Sequence, residues 1–239
     1  MENTTYEFRN GEVLLVDKPL NWTSFDVVNK LRWRLSKKYG IKRFKVGHAG
    51  TLDPLATGLL IICTGKSTKI SQELTSEDKT YTGTLLLGKT TPSYDMETEF
   101  NQEYSIDHIT SEAIEKVAVS FIGEQKQTPP VYSAKKVNGK RAYKSARKGE
   151  AVDLKESDIF IHSFTITEIR LPEVDFEVKC SKGTYIRSIA DDFGKSLDAG
   201  ATLVALRRTR SGDFLLENVK SVEEWAKIID TSEVTDELN

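Results

Sequence analysis

The sequence predicts an α+β fold, on three observations. Val174, Phe176, Val178 and Cys180 alternate with Asp175, Glu177 and Lys179, the two-residue period of a strand with one wet face. Ile186, Ile189, Ala190, Phe193 and Leu197 recur at the three-and-four spacing of a helix packed along one side. No internal repeat, low-complexity linker or clear domain boundary interrupts the 239 residues.

The elements follow in order. Residues 12–16 are a β-branched run ending at Lys18-Pro19, which predicts a strand running into a turn. A helix comes next, capped by Thr23 or Ser24, with Phe25, Val28, Leu31 and Leu35 as its apolar stripe. Residues 47–54, Gly47-His48-Ala49-Gly50-Thr51-Leu52-Asp53-Pro54, read as a tight loop. Gly47 and Gly50 permit turn conformations, and Pro54 steers Asp53 toward extended backbone, so the carboxylate is aimed by its own loop. Residues 59–63 are a buried strand candidate, and residues 80–87 another, beginning beside Tyr81. Ile114, Val117, Ala118 and Phe121 have helical spacing, and Ala142, Tyr143 and Ala146 make a shorter helix closed by Gly149. Arg187 falls in the first turn of the helix that follows the 174–180 strand, a cation at a sheet edge. Strands near residues 202–206 and 212–216, a short polar helix and an acidic tail complete the chain.

A composition of 38% hydrophobic and 29% charged residues is that of a soluble globular protein, with no apolar run able to span a bilayer. The N-terminus lacks the parts of a signal peptide, so a cytoplasmic location without a membrane partner is expected. Cys63 and Cys180 have no Cys or His neighbour at metal-ligand spacing and read as reduced, structural thiols. His48, His108 and His162 stand far apart, suggesting neither a metal site nor a Ser-His-Asp triad. Gly65-Lys66-Ser67 resembles the end of a phosphate-binding loop, yet the glycine that motif needs at position 60 is Leu60, which excludes nucleotide hydrolysis.

The formal net charge of −2 conceals segregation. Between Asp26 and Asp53 there is no acid but eight cations, and the same holds between Glu124 and Glu150. Two such blocks are either solvated helix faces or a localised surface for a polyanion.

Residues 47–54 followed by Leu55-Ala56-Thr57-Gly58, then Lys79-Thr80-Tyr81, then Thr128-Pro129-Pro130-Val131-Tyr132-Ser133-Ala134, and finally residues 180–187 with Leu206-Arg207-Arg208, form an ordered set. This set resembles the bacterial tRNA pseudouridine synthase B family over residues 11–218. The resemblance implies the pseudouridine synthase fold, a twisted, largely antiparallel mixed sheet flanked by helices with a central active-site cleft. It also implies an isomerase that converts the uridine conventionally numbered 55 in the TΨC loop of tRNA to pseudouridine, with no cofactor or catalytic metal.

In that family's terms Asp53 is the nucleophile on a flipped-out uridine, acting on the sugar, on the base or through a glycal. Arg187 pairs with Asp53, Tyr81 stacks on the base, and Tyr185 and Leu206 line the same pocket. Lys69 balances its charge, and His48 braces the space the uridine vacates. Lys42, Arg43, Lys45, Lys135, Lys136, Lys140, Arg141, Arg147, Arg207 and Arg208 are expected to grip phosphates of the T stem-loop. The catalytic domain is expected over residues 1–220, with residues 221–239 a short helix and acidic tail in place of the further RNA-binding domain of many relatives. A monomer with no obligate protein partner is expected. The rival readings are a noncatalytic tRNA-binding or RNA-folding protein and a nucleoside hydrolase with paired carboxylates; for the latter no second acid stands near Asp53 in sequence.

Overall fold

The computed structural model describes residues 5–133, 135–137, 140–142 and 154–233. They fall into two compact units, one formed by residues up to Lys79 together with those from Arg207 onward, the other by Thr80–Leu206. The first holds β1 (Val13–Lys18), α1 (Ser24–Tyr39), β2 (Val46–Ala49), β3 (Ala56–Thr64) and α2 (Ser71–Ser76). The second opens with β4 (Lys79–Leu87), β5 (Lys89–Thr90), β6 (Gln102–Glu103), α3 (Ser111–Ser120) and β7 (Gly123–Gln127). It continues through β8 (Lys136–Val137), β9 (Lys140–Arg141), β10 (Ser157–Arg170), β11 (Glu173–Cys180) and α4 (Ile186–Ser196). β12 (Ala201–Ser211) then carries the chain back into the first unit, which ends with β13 (Phe214–Leu215), β14 (Lys220–Ser221) and α5 (Val222–Thr231).

The first unit is built on β3. Leu59, Leu60, Ile61, Ile62 and Cys63 are all fully buried, the continuous apolar run of a strand covered on both faces. β3 pairs antiparallel with β1 and with β2, and β14 extends the order in parallel beyond β1. Thr23 caps α1 in a reciprocal box with Asp26, and Gly40 ends it at φ +63°. The buried stripe of α1 is Ser24, Val27, Val28, Leu31 and Leu35. Phe25, predicted on that stripe, is turned outward, because Ser24 takes the inner place and uses its hydroxyl there. α5 is amphipathic rather than polar: Val222, Trp225, Ala226 and Ile229 are buried, and Trp225 Nε1 donates to Leu15 O at 2.8 Å.

In the second unit the strand order is β12, β4, β11, β10, β7, with β10 antiparallel to both β11 and β7. The alternation of β11 is borne out, Val174, Phe176, Val178 and Cys180 all lying inside. Phe121 of the turn after α3, Phe164 of β10 and Phe193 of α4 meet with ring centroids about 6 Å apart, and Phe176 of β11 joins them. The helix predicted around Tyr143 and Ala146 lies outside the described residues, apart from Ala142. The strands predicted near 202–206 and 212–216 are β12, which runs on to Ser211, and the brief β13.

Candidate active site

Asp53 lies in the connection between β2 and β3, in the first unit. Its neighbours are tied on every side. Ser24 Oγ, at the buried start of α1, accepts from Leu52 N at 2.8 Å and donates to Leu52 O at 3.0 Å. Asn21 N donates to Pro54 O at 2.9 Å, and Ala56 N donates to Asp53 O at 3.1 Å as the chain turns into β3. Gly50 takes φ +80°, where a side chain is strained, and its carbonyl accepts from Arg208 Nη2 at 3.0 Å. Gly47 sits in β2 with open space around it, so the turn depends on Gly50 and not on Gly47.

Lys18, at the end of β1, is fully buried beneath this loop. Its Nζ donates to Trp22 O at 2.6 Å, Pro19 O at 2.9 Å and Pro54 O at 3.4 Å. Burial pulls its pKa down to about 8, against the attraction of the Asp53 carboxylate, while the Arg208 charge adds to the lowering. At neutral pH it remains a cation that acts on Asp53 through space. Sequence reasoning passed over Lys18, taking Lys18-Pro19 only as a turn. The half-buried His48, on β2 opposite Ile62, is held neutral by burial and then by the Arg208 charge. Its Nδ1 is buried without a hydrogen-bond partner among the described residues.

Lys69 stands apart. It is exposed in the 3-10 turn Gly65–Ile70 beyond the opposite end of the nine-residue β3, about 30 Å of strand from the Asp53 loop. The lysine beside Asp53 is therefore Lys18, and the charge-balancing role expected of Lys69 is corrected accordingly.

In the second unit Arg187 is the second residue of α4 and is 4% exposed. Its Nη1 donates to Tyr132 O at 2.9 Å and to Ser93 O at 3.4 Å, and its Nε lies 3.4 Å from Asp95 Oδ2. Asp95, itself 5% exposed, is a partner that no sequence motif marked. Gln127 grips the residue before α4 twice: Tyr185 N donates to Gln127 Oε1 at 2.8 Å, and Gln127 Nε2 donates to Tyr185 O at 3.0 Å. Ser188 Oγ donates to Thr128 O at 2.8 Å, so the segment entering Pro129-Pro130 is laid along the start of α4. Tyr81 is buried in β4, and Leu206 is half-buried in β12.

The basic residues divide by exposure. Lys42, Arg43 and Lys45 are exposed between α1 and β2. Lys135 Nζ donates to Lys155 O and Ser157 Oγ, each at 3.0 Å. Lys136, Lys140 and Arg141 lie on the β8–β9 hairpin, Lys136 opposite Arg141 and Lys140 opposite Val137, while Arg147 is outside the described residues. Arg207 is half-buried and ion-paired to Asp17 at 2.7 Å. Arg208 corrects expectation: at 1% exposure, with Nε donating to Leu59 O at 2.7 Å, it supports the Asp53 loop and cannot meet a phosphate. Successive residues of a strand face opposite ways, which parts Arg207 from Arg208. Among the described residues no group of three or more His, Cys, Asp or Glu side chains is placed to hold a metal, and no helix is long and apolar enough to cross a membrane.

The sequence model of the TruB family pseudouridylate synthase N-terminal domain matches residues 36–186. The tRNA pseudouridine synthase B of Phocaeicola vulgatus is 53% identical over 232 residues, covering 97% of this chain and 99% of that protein. That of Flavobacterium johnsoniae is 54% identical over 216 residues, covering 90% and 94%. Among solved structures, a chain of an H/ACA RNP bound to a substrate RNA containing 2′-deoxyuridine matches with a TM-score of 0.66 at 26% identity, over 92% of this chain and 53% of that one.

Proposed function

The chain belongs to the TruB family of pseudouridylate synthases, and from that footing we propose that it converts the uridine conventionally numbered 55 in the TΨC loop of tRNA to pseudouridine, with Asp53 as the nucleophile. The observation that carries this reading is the pinned Asp53 loop, whose backbone is held by Ser24, Asn21, Lys18 and Arg208. A carboxylate fixed before substrate arrives loses little entropy at the reacting centre.

The reaction is an isomerisation. The N1–C1′ bond of the nucleotide breaks, the base turns, a C5–C1′ bond forms, the C5 proton leaves to solvent and N1 gains one. Nothing is oxidised and no water is consumed. In this reading the Asp53 carboxylate serves as the nucleophile, Tyr81 stacks on the base, and Arg187 is the arginine of the uridine pocket. The uridine must first leave its stack, and the neutral His48 is suited to the space it vacates. Exposed Lys42, Arg43 and Lys45 supply phosphate contacts close in sequence to β2.

The test is Asp53→Asn assayed on unmodified tRNA carrying tritium at C5 of uridine. Tritium release is expected to fall by at least about 10⁴-fold with tRNA binding retained, and mapping of the wild-type product is expected to place pseudouridine at position 55. Undiminished release overturns the role of Asp53, and free uracil among the products points to hydrolysis instead.

A further inference from the structure

The outer face of α1 has no role in the reading above, yet its composition is unusual for a surface helix. Trp33 is 56% exposed and Phe25 58% exposed, two large aromatic rings left in water. Cations attend both. The Arg34 guanidinium lies 5.0 Å and Lys37 Nζ 5.6 Å from the Trp33 ring centroid, and the Arg32 guanidinium lies 5.8 Å from that of Phe25. Trp33 lines a shallow groove of about 620 Å³ together with Trp22, just before the α1 cap, and Asp26, Asn29 and Lys30 of the helix.

We propose that this face is an RNA-binding surface, on which an unstacked base of the tRNA substrate lies against Trp33 while flanking phosphates meet Lys30 and Lys37. The proposal rests on the tRNA reading above and extends it to a surface outside the Asp53 loop. Charge selects the occupant. From residue 27 to residue 52 the chain holds eight cations and no acid, and the one acid in the groove, Asp26, is occupied in the cap of α1 with Thr23; Arg34 is ion-paired to Asp230 of α5 at 2.6 Å, so the cations assigned to phosphate are Lys30 and Lys37. A purely apolar partner has no need of that field, whereas a polyanion carrying flat π-faces uses both features. Position agrees as well: the N-terminal end of α1 is bonded to Leu52 through Ser24, and Asn21 to Pro54, so RNA on this face lies next to the loop that carries Asp53.

Two variants of the full chain test this, Trp33→Ala and the pair Lys30→Ala with Lys37→Ala, each checked for folding by circular dichroism. With unmodified tRNA as probe, Trp33→Ala is expected to weaken binding about tenfold, with the loss appearing in KM. It should also remove most of the quenching of tryptophan emission that tRNA produces in the wild type. The lysine pair should reduce the slope of log affinity against log salt by about two, and it keeps the test intact if Trp33→Ala fails to fold. Unchanged affinity and unchanged salt slope overturn the proposal. So does wild-type affinity for tRNA accompanied by lost binding to anionic phospholipid vesicles, which assigns the face to a membrane. A wild type that binds tRNA through this face yet forms no pseudouridine defeats the reaction assigned above and leaves the surface standing; wild-type turnover with wild-type KM in both variants does the reverse.

Discussion

At the scale of single residues, Lys18 sets the sharpest expectation. Its amine is fully buried and its pKa is lowered to about 8 from the ordinary lysine value of 10.5, chiefly by burial. Below pH 8 it is protonated in both folded and unfolded chains, and the fold bears the cost of a buried charge. Between pH 8 and 10.5 the unfolded chain binds the extra proton, so stability rises with pH across that window, by up to about 3 kcal/mol. Lys18→Met has nothing to titrate. Urea unfolding at pH 7.5 and at pH 10.5 is therefore expected to show the wild type gaining on the variant as pH rises; parallel profiles would show that Lys18 is not desolvated. His48 works in the same sense, with its depressed pKa making the fold lose stability as pH falls below the ordinary imidazole range.

At the scale of elements, the loop and α1 behave as one piece because Ser24 answers both backbone groups of Leu52. Ser24→Ala leaves a buried N–H and a buried carbonyl without that partner and is expected to cost about 2 kcal/mol in urea unfolding, together with a fall in turnover at unchanged tRNA affinity. Lost stability at full turnover would show that the tether does not aim Asp53. Element legibility followed periodicity. β11 and α4 have clean periods of two and of three-and-four, and both formed where predicted. β10, the longest strand among the described residues, was passed over because bulges between Ile161 and Ser163 and between Ile166 and Glu168 reset its alternation twice. α5 looked polar because its acidic first turn, Glu223 and Glu224, serves the cap at Ser221 and conceals the apolar side that Val222, Trp225 and Ile229 bury.

At the scale of the whole molecule, net charge is a poor guide to partner. A chain with a formal charge of −2 is expected to bind tRNA with affinity falling steeply with salt, at a log–log slope of about −3 to −5, because its cations are grouped and its acids lie elsewhere. A flat salt profile in a filter-binding titration would remove phosphate contacts as the basis of binding. The two compact units likewise left no trace in composition, since the crossings between them, after Lys79 and before Arg207, fall inside β4 and β12 rather than in linkers.

Sequence alone determined the chemistry on offer: an acid before a proline in a glycine-bearing loop, ordered motifs that mark the family, helices and strands with regular spacing, and cations in blocks. Those properties are local, carried by residue type and by the distance along the chain to the next one. Tertiary structure alone decided which charges face water and which are spent inside. Lys18, Arg208 and Asp95 look in the chain like any surface ion, and became buried supports only because distant strands and loops brought carbonyls or an opposite charge to meet them. Burial of an ion is set by what surrounds it in space, and no spacing along the chain records that.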